Sequence, residues 1–303
     1  MIRLLVCCLA ERNMSRRVAF LLLLLTADAC ALSAESEAKN QPVAPFRIAG
    51  NVYYVGASDV TSYLVVTSRG LILIDGGFAE TAPQIEANIA TLGFRLADVR
   101  IILNGHAHPD HAGGLARLKH DSGAKFEAMA QEVVPLENEG RGTFYRGGRK
   151  LFESIKVDRT LHDGDTVRLG ETMLTAHLTA GHTPGCTTWT MRVRDGRRSL
   201  DVVFACQVTV PADTPLVNDS AYPAIAADFA RTFATLASLP CDVFLAEHGS
   251  AYSLPGKIAR MKADPRTNAF IDPRGYADFV QASRAEFETA LAQQREGNKQ
   301  RGG

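Results

Sequence analysis

The densest chemistry in the chain is the run His106-Ala107-His108-Pro109-Asp110-His111. Imidazole nitrogens and carboxylate oxygens suit a zinc ion, and this run offers three of one and one of the other within six residues. The run follows the apolar stretch Val99–Leu103 and precedes Gly113–Gly114, which places it on a tight turn between a strand and a helix. In such a turn, close spacing can aim four side chains at two neighbouring points rather than one. The plainer alternative is a polar loop that exposes histidines. Two further histidines stand where strands should end. Thr179-Ala180-Gly181-His182-Thr183-Pro184-Gly185 follows the strand pattern Thr172–Leu178, and His248 follows Val243–Ala246. A lone histidine in such a place is more often structural than a ligand. Two of them in a chain that carries the first run reverse that reading.

The elements that must position these residues read as follows. Val52–Val55, Thr61–Thr67 and Leu71–Asp75 alternate or run apolar, as strands do, with turn residues at Ser68–Gly70 and Gly76–Gly77. Ala82–Leu92 has helical periodicity, Val99–Leu103 is a short apolar strand, Gly113–Ser122 a helix and Lys125–Ala130 a strand. Residues 137–150, rich in Gly and Arg, form an exposed loop. Strands follow at Thr166–Leu169, Thr172–Leu178, Thr187–Val193 and Val202–Phe204, then a helix at Tyr222–Leu239, a strand at Val243–Ala246 and a closing amphipathic helix at Tyr276–Arg295. Strands grouped in each half with helices between them predict two β-sheets packed face to face with helices on the outer faces, an α/β sandwich of αββα layering. No linker or short repeat divides it, so residues 35–303 count as one domain.

Composition excludes some partners. With 46% hydrophobic and 22% charged residues the chain has ordinary globular values, and Lys+Arg and Asp+Glu both total 33. No excess charge points to nucleic acid or an anionic membrane, so a small-molecule partner is expected. From Met14, a second candidate start, the chain reads Ser15-Arg16-Arg17, an apolar run Val18–Leu25, and small residues at Ala27, Ala29, Ala31 and Ala34. That is the pattern of a secretory signal peptide over residues 1–34, too short to span a bilayer comfortably, with no stable membrane anchor expected. Beyond it remain Cys186, Cys206 and Cys241. An odd count leaves a free thiol or an intermolecular bond; Cys186 could approach Cys206, but spacing does not establish a bond.

The H-x-H-x-D-H run, the later Gly181-His182-Thr183-Pro184-Gly185 and His248 after a strand resemble the metallo-β-lactamase superfamily. Leu71–Gly77 resembles that family's strand and Asp-Gly-Gly turn, which shapes the site floor without binding metal. The resemblance runs from about Val52 to Arg295, and Ser238–Val243 with the C-terminal helix is similar to the β-lactamases of subclass B3. It implies a dinuclear zinc site: His106, His108 and His182 for the first Zn²⁺, and Asp110, His111 and His248 for the second. It further implies that a bridging hydroxide opens the amide of a β-lactam antibiotic while Asp110 orients the nucleophile, and that a periplasmic location suits such a substrate.

The chain departs from the pattern after Phe204. Two serines usual in the subclass are replaced by Gln207 and Thr209, which become the candidate substrate-binding residues. No bridging aspartate occurs between Phe204 and Thr209, which argues against glyoxalase-II-like hydrolases. Cys206 falls where another subclass has a cysteine ligand; the alternative is a buried small hydrophobe. His120, His162 and His177 match no ligand position, Trp189 reads as core, and Phe144 and Tyr145 are candidates to cover a substrate. The alternatives to β-lactam hydrolysis are a lactonase or related ester hydrolase on the same site, and a zinc-sequestering module without catalysis.

Overall fold

The alternation of burial along the strands decides the layering. In β3 (Tyr63–Thr67), β4 (Gly70–Ile74) and β5 (Val99–Leu103), Tyr63, Val65, Ile72, Ile74, Ile101 and Leu103 join one hydrophobic cluster. The residues between them, Leu64, Leu71, Leu73, Val99 and Ile102, join a second. Successive side chains of a strand point to opposite faces, so these strands must be covered on both sides. The computed structural model describes residues 37–141, 149–210 and 214–301. Residues 40–303 form one compact unit; of the unit ending at Lys39 only 37–39 are described, and they are helical.

The first sheet has seven strands in chain order: β1 (Phe46–Ala49), β2 (Val52–Tyr54), β3, β4, β5, β6 (Lys125–Met129) and β7 (Arg159–Leu161). The pairs up to β3–β4 are antiparallel, and from β4 onward they are parallel. The second sheet runs β12 (Val243–Ala246), β11 (Arg198–Ala205), β10 (Thr187–Asp195), β9 (Thr172–Leu178) and β8 (Thr166–Leu169), with only β11–β12 parallel. Tyr63 meets Phe204 edge-on at 5.2 Å, one of the contacts that pack the sheets together.

Helices cover both outer faces. On the first sheet, α1 (Ala82–Thr91) buries Ile85 and Ile89, and α3 (Leu115–Ser122) buries Leu115 and Leu118. α2 is the single turn Pro109–Ala112. α4 (Ala130–Glu137) follows β6 directly. On the second sheet, α5 (Ile225–Ser238) buries Ile225, Phe229, Phe233 and Leu236, a helical stripe that meets Phe287 of α7 (Pro273–Arg301) at 5.1 and 5.8 Å. Burying each such ring is worth roughly 2–3 kcal/mol. α6 (Leu254–Ala263) links β12 to that layer.

The αββα sandwich expected from the sequence is therefore present, and Val99–Leu103, Thr166–Leu169, Thr172–Leu178 and Val243–Ala246 have the expected bounds. Sequence reading missed β1, β7, α4 and α6. β1 and β7 are three or four residues long, too short for a period-two pattern. α4 carries Pro135 inside it and α6 opens with Pro255 and Gly256, residues that read as breakers. Pro255 stands in the first turn, where its missing N–H costs nothing. Phe144 and Tyr145 lie outside the described residues.

Candidate metal centre

Every histidine that the sequence offers as a metal ligand lies past the carboxyl end of a strand, at one edge of the sandwich. His106, His108, Asp110 and His111 follow β5 and lie around α2; His182 sits between β9 and β10; His248 follows β12. Loop geometry supplies the aim. At Gly181 (φ +140°) a Cβ would come within 2.7 Å of the Phe229 ring, so the turn that presents His182 requires glycine. At Gly105 a Cβ would fall 1.6 Å from Glu247 Oε1, and only glycine lets that carboxylate reach His106.

The ring nitrogens form two groups. His106 Nε2 and His182 Nε2 lie 3.0 and 3.1 Å from His108 Nδ1. His111 Nε2 and His248 Nε2 are 3.3 Å apart, and each is 3.5 Å from Asp110 Oδ2. Zinc bonds of about 2.0–2.1 Å set neighbouring donors about 3.3 Å apart in a tetrahedron. The spacing of both trios therefore fits one small cation each, and both trios qualify as potential metal-holding groups. Three of the opposite ring nitrogens are held by other groups. Glu247 lies 3.1 Å from His106 Nδ1 and Asp59 lies 3.1 Å from His248 Nδ1, while Asp75 stands 3.7 Å from His111 Nδ1, beyond hydrogen-bond reach. His182 Nδ1–H donates to the Thr209 carbonyl at 2.8 Å. Such partners fix tautomer and ring orientation. They also explain why Asp75, His111 and Glu247 cluster: the two carboxylates face Nδ1 atoms, away from the converging donors.

Asp59, Asp75, Asp110 and Glu247 all lie within 3.7 Å of a ring nitrogen of the cluster, so the site is rich in carboxylates, and burial pushes the Glu247 carboxyl well above the usual range. Burial lowers His182 to about 4 and pushes His106 well below the usual range, aided there by neighbouring rings, so both rings are free of the extra proton that would bar a metal ion at pH 7. Burial also disfavours charge on His111, but Asp110, Glu247 and Asp75 push it up to about 10. Burial would raise the Asp110 carboxyl, yet the rings of His111, His248 and His108 hold it at about 2.

Gln207 and Thr209 reach the same place. Gln207 Oε1 is 3.1 Å from His248 Nε2, and its Nε2 donates to the exposed Thr209 hydroxyl at 2.8 Å. Cys206 is joined to Cys186 in a disulfide with Cα atoms 5.9 Å apart. This corrects the ligand reading of Cys206, because its sulfur is already bonded, while the alternative of a small buried side chain agrees with its place in the core; Cys241 is a free thiol. Trp189 is core, donating Nε1–H to the Asn104 carbonyl, and His120, His162 and His177 stand outside the cluster, with His177 bonded to Thr190. Sequence reasoning missed the carboxylates Asp59, Glu247 and Glu132. Glu132 is buried beneath both ligand loops and accepts from Ala107 N–H, Gly185 N–H and the Thr183 hydroxyl at 2.8, 2.8 and 2.5 Å. Glu247, next to His248 at the end of an apolar strand, was the one with a local signal.

Comparison with known proteins places this geometry. The family model described as the metallo-beta-lactamase superfamily matches residues 55–248. The native FEZ-1 metallo-beta-lactamase from Legionella gormanii is 40% identical, with 84% of this chain covering 98% of that one at a TM-score of 0.82. BJP-1, a subclass B3 metallo-beta-lactamase of Bradyrhizobium japonicum, is 40% identical over 86% of this chain and 98% of its own, with a TM-score of 0.79. The class B3 di-zinc metallo-beta-lactamase LRA-12 from an Alaskan soil metagenome is 36% identical over 83% and 95%, also at 0.79. Among curated proteins, a probable metallo-hydrolase of Burkholderia pseudomallei (strain 1710b) is 35% identical over 109 residues, 36% of each chain. The chain thus spans little more than a third of the length of the curated relatives it matches.

Proposed function

The chain belongs to the metallo-β-lactamase superfamily, and on that premise we propose that it is a dinuclear zinc hydrolase that opens the amide of β-lactam antibiotics. The observation that carries the reading is the pair of donor trios, one of three imidazoles and one of two imidazoles and a carboxylate, on a scaffold like that of subclass B3 enzymes. His106, His108 and His182 would hold the first ion, and Asp110, His111 and His248 the second. Bound there, the ions supply Lewis acidity toward a carbonyl and a water activated near neutral pH.

The chain's own residues do the rest. Asp110, ionised at neutral pH and fixed between His111 and His248, accepts a hydrogen bond from the attacking water and so orients it. Glu247, Asp59 and the Thr209 carbonyl hold three of the rings against rotation, so the site needs no rearrangement when substrate arrives. The Thr209 hydroxyl and the Gln207 amide stand at the exposed rim, where they can hold the carboxylate that β-lactams carry. Export to the periplasm would bring the enzyme to where cell-wall antibiotics act, and a disulfide between Cys186 and Cys206 suits an oxidising compartment. Among the described residues, no helix is long and apolar enough to cross a membrane.

The test is a substrate panel for the zinc-loaded protein without residues 1–34: a penicillin, a cephalosporin, a carbapenem and an acyl-homoserine lactone. Turnover of at least one β-lactam with little lactone opening is expected. Rapid lactone opening with no β-lactam turnover would replace the proposal with a lactonase on the same site.

A further inference from the structure

Tyr276, Val280, Phe287 and Leu291 follow one another at helical spacing and form the apolar stripe by which α7 packs on the sandwich. Gln294 continues that stripe three residues on, where periodicity calls for another apolar side chain. Its amide meets backbone instead. Gln294 Oε1 accepts from the Leu216 N–H at 2.7 Å, and Nε2 donates to the Thr214 carbonyl at 2.9 Å. A backbone N–H can only donate and a carbonyl only accept, so the two bonds fix which way the amide points. They lie on either side of Pro215 and give this stretch the partners that a neighbouring strand would supply. Thr214 and Leu216 are themselves buried.

The loop 207–224 that Gln294 grips starts and ends at the metal site. At its start the Thr209 carbonyl lies 2.8 Å from His182 Nδ1. At its end Tyr222 is buried, and its hydroxyl is raised first by that burial and then by the Glu132 carboxylate beneath the ligand loops. α5 follows at once, and its Thr232 hydroxyl donates to the Ala180 carbonyl of the His182 turn at 2.6 Å. Among the described residues no helix or strand lies between these ends, and connections of that length usually serve binding. We propose that Gln294 is a positioning residue for substrate binding, which seats the middle of this loop as a wall beside the rim formed by Gln207 and Thr209. The inference rests on the β-lactam reading above and deepens it. Gln207 is tied separately, its N–H donating to Glu247 Oε2 at 2.6 Å beside the Cys186–Cys206 disulfide. The clamp therefore acts on how substrate is held and leaves the metal donors alone.

The experiment joins hydrogen–deuterium exchange with steady-state hydrolysis of a chromogenic cephalosporin, on zinc-loaded wild type, Gln294→Met and Gln294→Glu. Each protein is first checked for a cooperative thermal transition and for its zinc content. Gln294→Met keeps length and helix propensity but loses both hydrogen bonds. Gln294→Glu keeps the acceptor for Leu216 and loses the donor to Thr214. Gln294→Met should speed exchange in peptides from 207–224 by about 5-fold or more, with the sheets unchanged. It should raise KM by about 5-fold or more and leave kcat within about twofold. Gln294→Glu should fall between it and wild type. Unchanged exchange in Gln294→Met would overturn the clamp, and faster exchange with an unchanged KM would overturn its role in substrate binding. A fall in kcat or in zinc content would overturn that role too, because Gln294 would then act through the metal donors. Wild type that holds two zinc ions and turns over no β-lactam would overturn the β-lactam reading and the substrate role together, while the exchange data would still decide whether the clamp holds the loop.

Discussion

Glu132 sits at the bottom of the site with every hydrogen bond it makes directed at a ligand loop. It ties Ala107, between two candidate ligands, to Thr183 and Gly185, which flank the turn after His182. Burial pushes its carboxyl up, and the three donors pull it down. Replacing it with Leu strands two backbone N–H groups and a hydroxyl, each costing about 1–3 kcal/mol. Glu132→Leu should therefore lose about 3 kcal/mol or more in a denaturant melt and weaken the first zinc site. Glu132→Gln, which keeps a carbonyl acceptor, should lose less than half as much. Asp59 acts on the other site: Asp59→Asn should lower second-ion affinity about 10–100-fold in a chelator titration, the usual cost of removing such a partner. The proposed ligands stand out in the sequence because four of the six lie within six residues and the other two follow apolar strands. Their supports do not. Asp59 reaches His248 across 189 positions and Glu132 reaches Thr183 across 51, and no local pattern records such pairings.

Two junctions between elements carry separate predictions. The disulfide between Cys186 and Cys206 joins the start of β10 to the exit of β11 and closes a loop with a sequence separation of 20, so it holds the His182 turn beside Gln207. Loop closure of that size is worth about 3 kcal/mol. The double variant Cys186→Ser, Cys206→Ser should be destabilised by about that amount in urea, and reductant should have no further effect on it. At the other face, Asp158 binds Lys119 Nζ of α3 at 2.8 Å and the Phe126 N–H of β6 at 2.7 Å. Burial would raise its carboxyl, but these two partners hold it below the usual range. A group whose folded pKa is depressed contributes stability above its unfolded value, near 4, and loses it as pH falls through the folded value. Asp158→Asn should therefore flatten the acid limb of the stability–pH curve below about pH 4, measured by thermal melts, with a smaller effect near pH 2, where both forms converge. Elements with clear periodicity were legible to within a few residues. Those that depend on tertiary partners, such as β7 beside β6 or α4 running through Pro135, were not.

At the scale of the molecule, near-neutral charge and two apolar clusters direct attention to the edge where four strands end as the place for chemistry. Parallel strands β4 and β5 in one sheet and β11 and β12 in the other all point their carboxyl ends there. The loops that follow these strands supply five of the six proposed ligands, and the β9–β10 connection supplies His182. The αββα layering was legible because strand alternation and apolar runs are local properties, whereas the gathering of carboxylates around the site belongs to the folded chain. The most direct test of the account is hydrolysis of a chromogenic cephalosporin by the protein without residues 1–34, before and after a zinc chelator and again after zinc is restored. The account predicts turnover that the chelator abolishes and zinc restores. Undiminished turnover in the chelator, with metal shown to be absent, would contradict it, as would no turnover by protein shown to hold two zinc ions.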